Sequence, residues 1–293
     1  MATSAIEIDG IACRLGGIKG GGFTLGPIDA RIPRGCVLAL IGPNGAGKTT
    51  LLDTLMGLGR PNQGAIRILG LDLKRHDVAI KARTAYVNPD LNYATWGSVG
   101  KALDFVSGFY PDWDDARCAR LLEAFELKRP DKINTLSFGG RIKLSLVMAL
   151  ARDAELLLLD EPTVGLDVNA RRVLFQEILD IVRNEDRTVV ISSHQLADLE
   201  RLADMCAVIH KGKLLVMAPM DALLDRYRQV DAIMSGAVPA HPGVRLLARD
   251  GDRVRLLIDL SLCPEADFAK LGIAPVADVA MTLEDLFVAL TKE

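Results

Sequence analysis

The chain has 293 residues, 49% of them hydrophobic, which is enough for a large core and one or two domains. Its formal net charge of −3 gives no bulk attraction to nucleic acid or to an anionic membrane surface. No apolar run approaches the ~18 residues that span a bilayer.

The start, Met1 to Glu7, lacks the basic-then-apolar plan of a secretory leader, so a cytoplasmic protein is expected. Five cysteines (Cys13, Cys36, Cys118, Cys206, Cys263) are scattered without a C-x-x-C pair. They read as thiols in a reducing compartment rather than as a zinc site or a disulfide frame.

Residues 5–40 read as strands and turns. Gly16, Gly17, Gly20, Gly21 and Gly22 form one flexible loop, and Pro33-Arg34-Gly35 is a turn. Val37 to Ile41 is apolar throughout and reads as a buried strand. Gly42-Pro43-Asn44-Gly45-Ala46-Gly47-Lys48-Thr49-Thr50 follows and fits G-x-x-x-x-G-K-[ST]. From Thr50 to Met56 apolar residues recur at helical spacing. Strand, glycine loop and helix are what a triphosphate needs. The glycines let successive backbone N–H groups approach one phosphate, and the helix N-terminus adds its dipole. Lys48 is expected to reach the β- and γ-phosphates, and the Thr49 hydroxyl to ligate Mg2+.

Gly57, Gly59 and Pro61 close that helix. Gly64 to Gly70 and Thr84 to Val87 read as strands. Half of the chain's aromatic residues lie between Tyr86 and Trp113, and residues 95–150 are expected to be a mainly helical insertion. The aromatic cluster there is either a docking surface for a partner or the packing of a small subdomain. Trp113 to Leu127 reads as an amphipathic helix capped by Asp112, and Arg141 to Arg152 as a second helix.

Leu156 to Leu159 is a buried strand ending in Asp160 and Glu161. A strand that delivers carboxylates at its C-terminal end places them where ligands bind in an open α/β sheet. Asp160 is expected to hold Mg2+ through its water shell, and Glu161 to polarise an attacking water. Val173 to Val182 is helical in pattern. Thr188 to Ser192 is another buried strand, and His194 at its end can contact the same γ-phosphate. A helix around Leu196 to Ala203 and a hairpin around Lys211-Gly212-Lys213 follow. Beyond about residue 230, Asp250-Gly251 marks a second hairpin, Pro264 to Leu271 reads as a helix, and Leu283 to Leu290 as a final amphipathic helix capped by Thr282.

Together these residues resemble the nucleotide-binding subunit of an ABC (ATP-binding cassette) transporter over roughly residues 5–220. Leu136-Ser137-Phe138-Gly139-Gly140 is similar to the family's L-S-G-G-Q signature, with Phe138 at its first glycine and Gly140 at its glutamine. Val164-Gly165-Leu166-Asp167 is similar to its D-loop, and Ser192-Ser193-His194 to its switch-histidine region. The resemblance implies an α/β fold: a P-loop NTPase ABC cassette with a mixed β core and a helical subdomain. Its expected bounds are 5–228, with a small α+β appendage over 229–293. It implies two cassettes head to tail around two ATP molecules, the second copy supplying Ser137 and Gly139, and the dimer being a homodimer or a heterodimer with another ABC ATPase. Leu15 holds the place of the family's adenine-stacking aromatic, with Phe23 as an alternative. Asn88-Pro89-Asp90 stands where the family has a Mg2+-contacting glutamine, leaving Asn88 and Asp90 as candidates.

The expected function is therefore an ATPase that drives a separate transmembrane permease, with a texture closest to the bacterial ABC-2 exporters. The alternative is a soluble ABC ATPase acting on nucleic acid or ribosomes. One phosphate loop, no heptad run and no basic stripe count against it, and no nucleic-acid partner is expected.

Overall fold

The computed structural model of the chain describes residues 4–16, 22–90, 93–185, 187–279 and 281–291. Gly17, Gly20 and Gly21 of the expected glycine loop lie outside the described residues. In chain order the strands and helices are β1 (Ser4–Leu15), β2 (Phe23–Pro33), β3 (Val37–Ile41), α1 (Lys48–Leu55), β4 (Gln63–Ile68), β5 (Leu71–Asp72), α2 (Asp77–Arg83), β6 (Thr84–Val87), α3 (Val99–Ser107), α4 (Asp115–Ala124), α5 (Phe138–Leu150) and β7 (Leu156–Leu159). They continue with α6 (Val168–Glu185), β8 (Thr188–Ser192), α7 (Leu196–Leu202), β9 (Met205–His210), β10 (Lys213–Pro219), α8 (Met220–Arg226), β11 (Tyr227–Ile233), β12 (Val244–Asp250), β13 (Arg253–Asp259), β14 (Ala274–Val279) and α9 (Leu283–Thr291).

The chain divides into two compact units, Met1–His194 with Ala207–Met217, and Gln195–Cys206 with Ala218–Glu293. In the first, a six-stranded sheet runs β10-β9-β3-β8-β7-β6. β3, β7 and β8 are buried at every residue, as strands covered on both faces must be, which is why they read as unbroken apolar runs. β3 pairs parallel with β8, β8 with β7, and β7 with β6. Leu40 faces Ser192, Leu159 faces Ile191, and Val87 faces Leu159. The register therefore brings the residues after all four strands to one edge. A second sheet, β2-β1-β4-β5, is antiparallel along β1.

Helices α3, α4 and α5 occupy the expected helical stretch. Their apolar stripes, including Leu103, Leu121 and Leu144, are buried. The helix expected over Trp113–Leu127 is shorter, and Asp112 is not its cap. Trp113 is held in a backbone bridge to Arg152, and the Asp114 N–H donates to the Ala151 carbonyl at 2.8 Å, so both residues are extended. Asp114 is the cap, accepting from the Arg117 N–H at 2.8 Å. The second helix begins at Phe138 because Ser137 caps it, accepting from the Gly140 N–H at 3.0 Å. The third reaches back to Val168 because Asp167 accepts from the Ala170 N–H at 2.8 Å.

The second unit holds the antiparallel sheet β12-β13-β11-β14 over a core of Val230, Leu256, Ile258, Cys263, Phe268 and Ile273. The expected helix over Pro264–Leu271 is a single 3-10 turn at Glu265–Asp267. Phe268 and Ile273 are both drawn into the core, and Gly272 breaks the chain with φ 69°. Thr282 and Asp285 cap α9 reciprocally, and Glu200 of α7 accepts from the Leu283 N–H at 2.8 Å.

Replacing Asp114 by Ala is expected to lower the free energy of unfolding by about 1 kcal/mol in urea titrations. Asp112→Ala, at an exposed position outside the helix, is expected to change it by less than ~0.5 kcal/mol. Equal effects would return the cap to Asp112.

Candidate functional site

The loop from Gly42 to Thr50 leaves β3 and enters α1, and its shape depends on three glycines. Gly45 and Gly47 have φ 77° and 110°, where a side chain is strained. A Cβ on Gly42 would lie 2.4 Å from the Ile209 carbonyl oxygen. Ala46 is buried, its carbonyl accepting from the Gly212 N–H at 3.0 Å. Pro43, Asn44 and Gly45 lie on the outer side of the loop, and Thr50, the third residue of α1, is half-buried.

Lys48 is a buried cation, compensated from its own loop. Its Nζ donates to the Gly42 carbonyl at 2.7 Å and stands 3.7 Å from Glu161 Oε1. Thr49 and Asp160, paired in the sequence reading, do meet: Thr49 Oγ1 donates to Asp160 Oδ2 at 2.6 Å. The other Asp160 oxygen accepts from Ser192 Oγ at 2.6 Å, and the same Ser192 oxygen accepts the Glu161 N–H at 2.9 Å. Burial pushes the Asp160 carboxyl above its usual value, aided by the Glu161 charge and opposed by the Ser192 and Thr49 hydroxyls and by Lys48. A hydroxyl and a carboxylate side by side are hard oxygen donors of the kind Mg2+ takes. Among the described residues no cluster of three His, Cys, Asp or Glu side chains forms, so phosphate and water oxygens would have to complete such a shell.

Glu161 has φ 45°, a left-handed backbone that costs a non-glycine residue about 1–3 kcal/mol. Its N–H bond to Ser192 helps hold it there. Glu161 Oε2 lies 2.8 Å from His194 Nδ1, and since a carboxylate accepts, that ring nitrogen carries the hydrogen. The carboxylate therefore stands between the Lys48 ammonium and the His194 ring.

Ser137 and Gly139 make their contacts elsewhere. Ser137 caps α5, and a Cβ on Gly139 would lie 2.1 Å from the Gly165 carbonyl oxygen. Lys143 of α5 meets Asp167 at 2.8 Å, and these contacts hold the Asp167 carboxyl down at about 2. Leu15 is 47% exposed and pairs across β1 and β2 with Phe23. It is the Phe23 ring that lies against the loop, since a Cβ on Gly47 would fall 2.9 Å from it. Ser192 was legible only as part of a resemblance, and Asp53 and Tyr86, which hydrogen-bond to each other near this edge, had no sequence signal.

A glycine loop, a buried lysine and adjacent carboxylates at the carboxyl ends of neighbouring parallel strands define a P-loop nucleoside triphosphatase. The comparisons narrow the class. Residues 25–164 match the family described as ABC transporter. The chain is 30% identical to the daunorubicin resistance ATP-binding protein DrrA3 of Streptomyces coeruleorubidus, over 100% of this chain and 98% of that one. It is 30% identical to the ABC transporter ATP-binding protein YtrB of Bacillus subtilis, over 72% of each. Among solved structures, an ATP-binding subunit of an ABC transporter shares 26% identity at a TM-score of 0.64, covering 76% of this chain and 92% of that one. The dimeric post-hydrolysis cassette MJ0796 bound to ADP and Pi, at 18% identity and a TM-score of 0.65, shares the fold over 73% of this chain and 98% of its own. The chain belongs to the ATP-binding proteins of ABC transporters, and it is an ATPase.

The raised Asp160 value has a consequence for stability. The unfolded carboxyl ionises first, so between the unfolded and folded values the native protein binds more protons. Stability from this group is full below the unfolded value and is lost as pH rises through the folded one. In the absence of nucleotide, Asp160→Asn is expected to unfold at the same or a higher temperature than wild type at pH 7. That advantage should shrink towards pH 4. Calorimetry showing a large loss at pH 7 would mean that the ionised carboxylate stabilises the empty site.

Proposed function

We propose that the chain is the motor subunit of an exporter, hydrolysing Mg-ATP in a head-to-tail dimer that drives a separate transmembrane permease. The observation that carries this reading is the Glu161 carboxylate set between Lys48 and His194, one residue beyond the Asp160–Thr49 pair. In this reading the backbone from Gly42 to Thr50 wraps the phosphates, and Lys48 turns from the Gly42 carbonyl to them. Thr49 and Asp160 would hold Mg2+. When bound, the ion neutralises charge on the phosphate oxygens. Glu161 draws the proton from the attacking water, and His194 steadies that carboxylate and meets the γ-phosphate. Ser137, at the N-terminus of α5, and Gly139 would face the nucleotide of the partner copy, whose positive helix end suits an anion. Leu15 or Phe23 would meet the adenine. ATP closing the dimer and hydrolysis opening it would do mechanical work, because the two states bind the γ-phosphate differently.

The export reading is supported by a relative named for Nod factor export, and it fits others named for lantibiotic transport and daunorubicin resistance. The likeness to the daunorubicin resistance protein covers this chain's second unit as well as its first. No helix among the described residues is long and apolar enough to cross a membrane. In the proposed reading the permease is another chain, and this one sits peripherally at it on the cytoplasmic face.

Glu161→Gln is expected to lower ATP turnover by about 100-fold or more while ATP binding stays within a few-fold. With Mg-ATP the variant is expected to run as a dimer on size exclusion. It should also retain a polytopic membrane protein in stoichiometric amount from detergent-solubilised host membranes. Undiminished turnover would remove Glu161 as the base. Recovery of ribosomal or nucleic-acid-associated proteins without a permease would favour the soluble reading.

A further inference from the structure

The turn that follows β6 carries a hydrogen-bond chain with one possible direction. Tyr86 Oη donates to Asp53 Oδ1 at 2.8 Å, Asn88 Nδ2 donates to Tyr86 Oη at 2.8 Å, and Asn88 Oδ1 accepts the Asp90 N–H at 2.8 Å. Burial pushes the Tyr86 phenol well above its usual value, and the Asp53 and Asp160 charges push the same way against the Asn88 amide. The phenol is the donor of this pair and the Asp53 carboxyl oxygen the acceptor. The phenol oxygen can then only accept from the amide. A flipped Asn88 would set its NH2 group against the Asp90 N–H, donor to donor. Each end of the Asn88 amide thus already has one partner, on a residue only 8% exposed.

The two ends of this chain sit on elements that matter to the reaction. Asp53 lies on α1, whose first two residues are Lys48 and Thr49. Asp90 lies just past β6, where the Val87 carbonyl accepts the Asp160 N–H at 2.8 Å. The chain Asp53–Tyr86–Asn88–Asp90 therefore ties the helix of the phosphate loop to the turn beside the Asp160 strand end.

We propose that Asn88 is a positioning residue rather than a metal-contacting one, and that the Asp53–Tyr86–Asn88 clamp sets the Asp90 turn relative to Thr49 and Asp160. Of the two candidates for the family's glutamine, Asn88 holds the turn and Asp90 is the carboxylate the turn presents. The proposal rests on ATP hydrolysis at the phosphate loop and not on the membrane partner, so capture of a permease bears on the export reading alone.

The test uses the purified full chain as wild type, Tyr86→Phe, Asn88→Ala and the double variant. Tyr86→Phe removes a single oxygen and leaves the ring. Two quantities are read: the steady-state constants for ATP, and the gain in affinity for a fluorescent ATP analogue when Mg2+ replaces EDTA. Each single variant is expected to lower kcat by about 10-fold with KM within about two-fold, as a small misplacement does. The double variant should be no slower than either single one, because both cut one chain. The Mg2+-dependent gain should stay within about two-fold of wild type in Asn88→Ala. A gain lost in Asn88→Ala and kept in Tyr86→Phe would make Asn88 a metal contact and overturn the proposal. A wild-type kcat in Tyr86→Phe, or losses that multiply in the double variant, would overturn it too.

Discussion

The parallel register of β3, β8, β7 and β6 is the constraint on which the site depends. Neighbouring parallel strands end on the same side, so the residues that follow them become spatial neighbours whatever their distance in the chain. Thr49 and Asp160 are 111 positions apart and share a hydrogen, and Asp160 and Ser192 are 32 apart and share another. Slipping one strand by a single residue would turn every side chain on it to the other face. The complete burial of β3, β7 and β8 makes that slip costly, and so protects the chemistry at their ends.

At that edge the protein tolerates unfavourable terms that packing alone would not choose. Asp160 is a carboxylate almost wholly out of water, held by two hydroxyls rather than by a full counter-charge. Lys48 is a buried ammonium leaning on backbone carbonyls. Glu161 is kept in a left-handed backbone. Each costs free energy in the protein alone, and the two buried charges suit a polyanion with a hard cation, which would offer them stronger partners. Ser192 joins two of them, since one hydroxyl donates to Asp160 and accepts from the Glu161 backbone.

A second coupling lies around α5. The Gly139–Gly165 approach is too close for any side chain, and Lys143 reaches Asp167, the cap of α6. The start of α5 and the turn before α6 are thus fastened together, and displacing one carries the other. The degenerate signature fits this packing. Gly139 is kept where a Cβ would collide, whereas the Phe138 side chain remains 40% exposed.

Much of this was legible because it is local. An unbroken apolar run, a glycine loop with its lysine and threonine, and two acids at a strand end each declare themselves within a few residues, since strand burial and phosphate geometry impose composition directly. The α/β cassette and the residues from Gly42 to Thr50, with Asp160 and Glu161, could be read that way. Helix ends were less legible: Asp112 reads as the cap from sequence, but the bridge between Trp113 and Arg152 extends the chain past it and leaves the cap to Asp114. The pairing of α7 with α9 through Glu200 and Leu283 joins residues 83 apart and has no local mark. The Asp53–Tyr86 contact was invisible for the same reason: an aspartate and a tyrosine are ordinary polar residues until folding brings α1 and β6, 33 positions apart, within 2.8 Å. Sequence alone determined which strands are buried and which loop carries the phosphate-binding pattern, because those are properties of short segments. Only the tertiary structure decided which polar groups meet, because that depends on how distant segments are stacked.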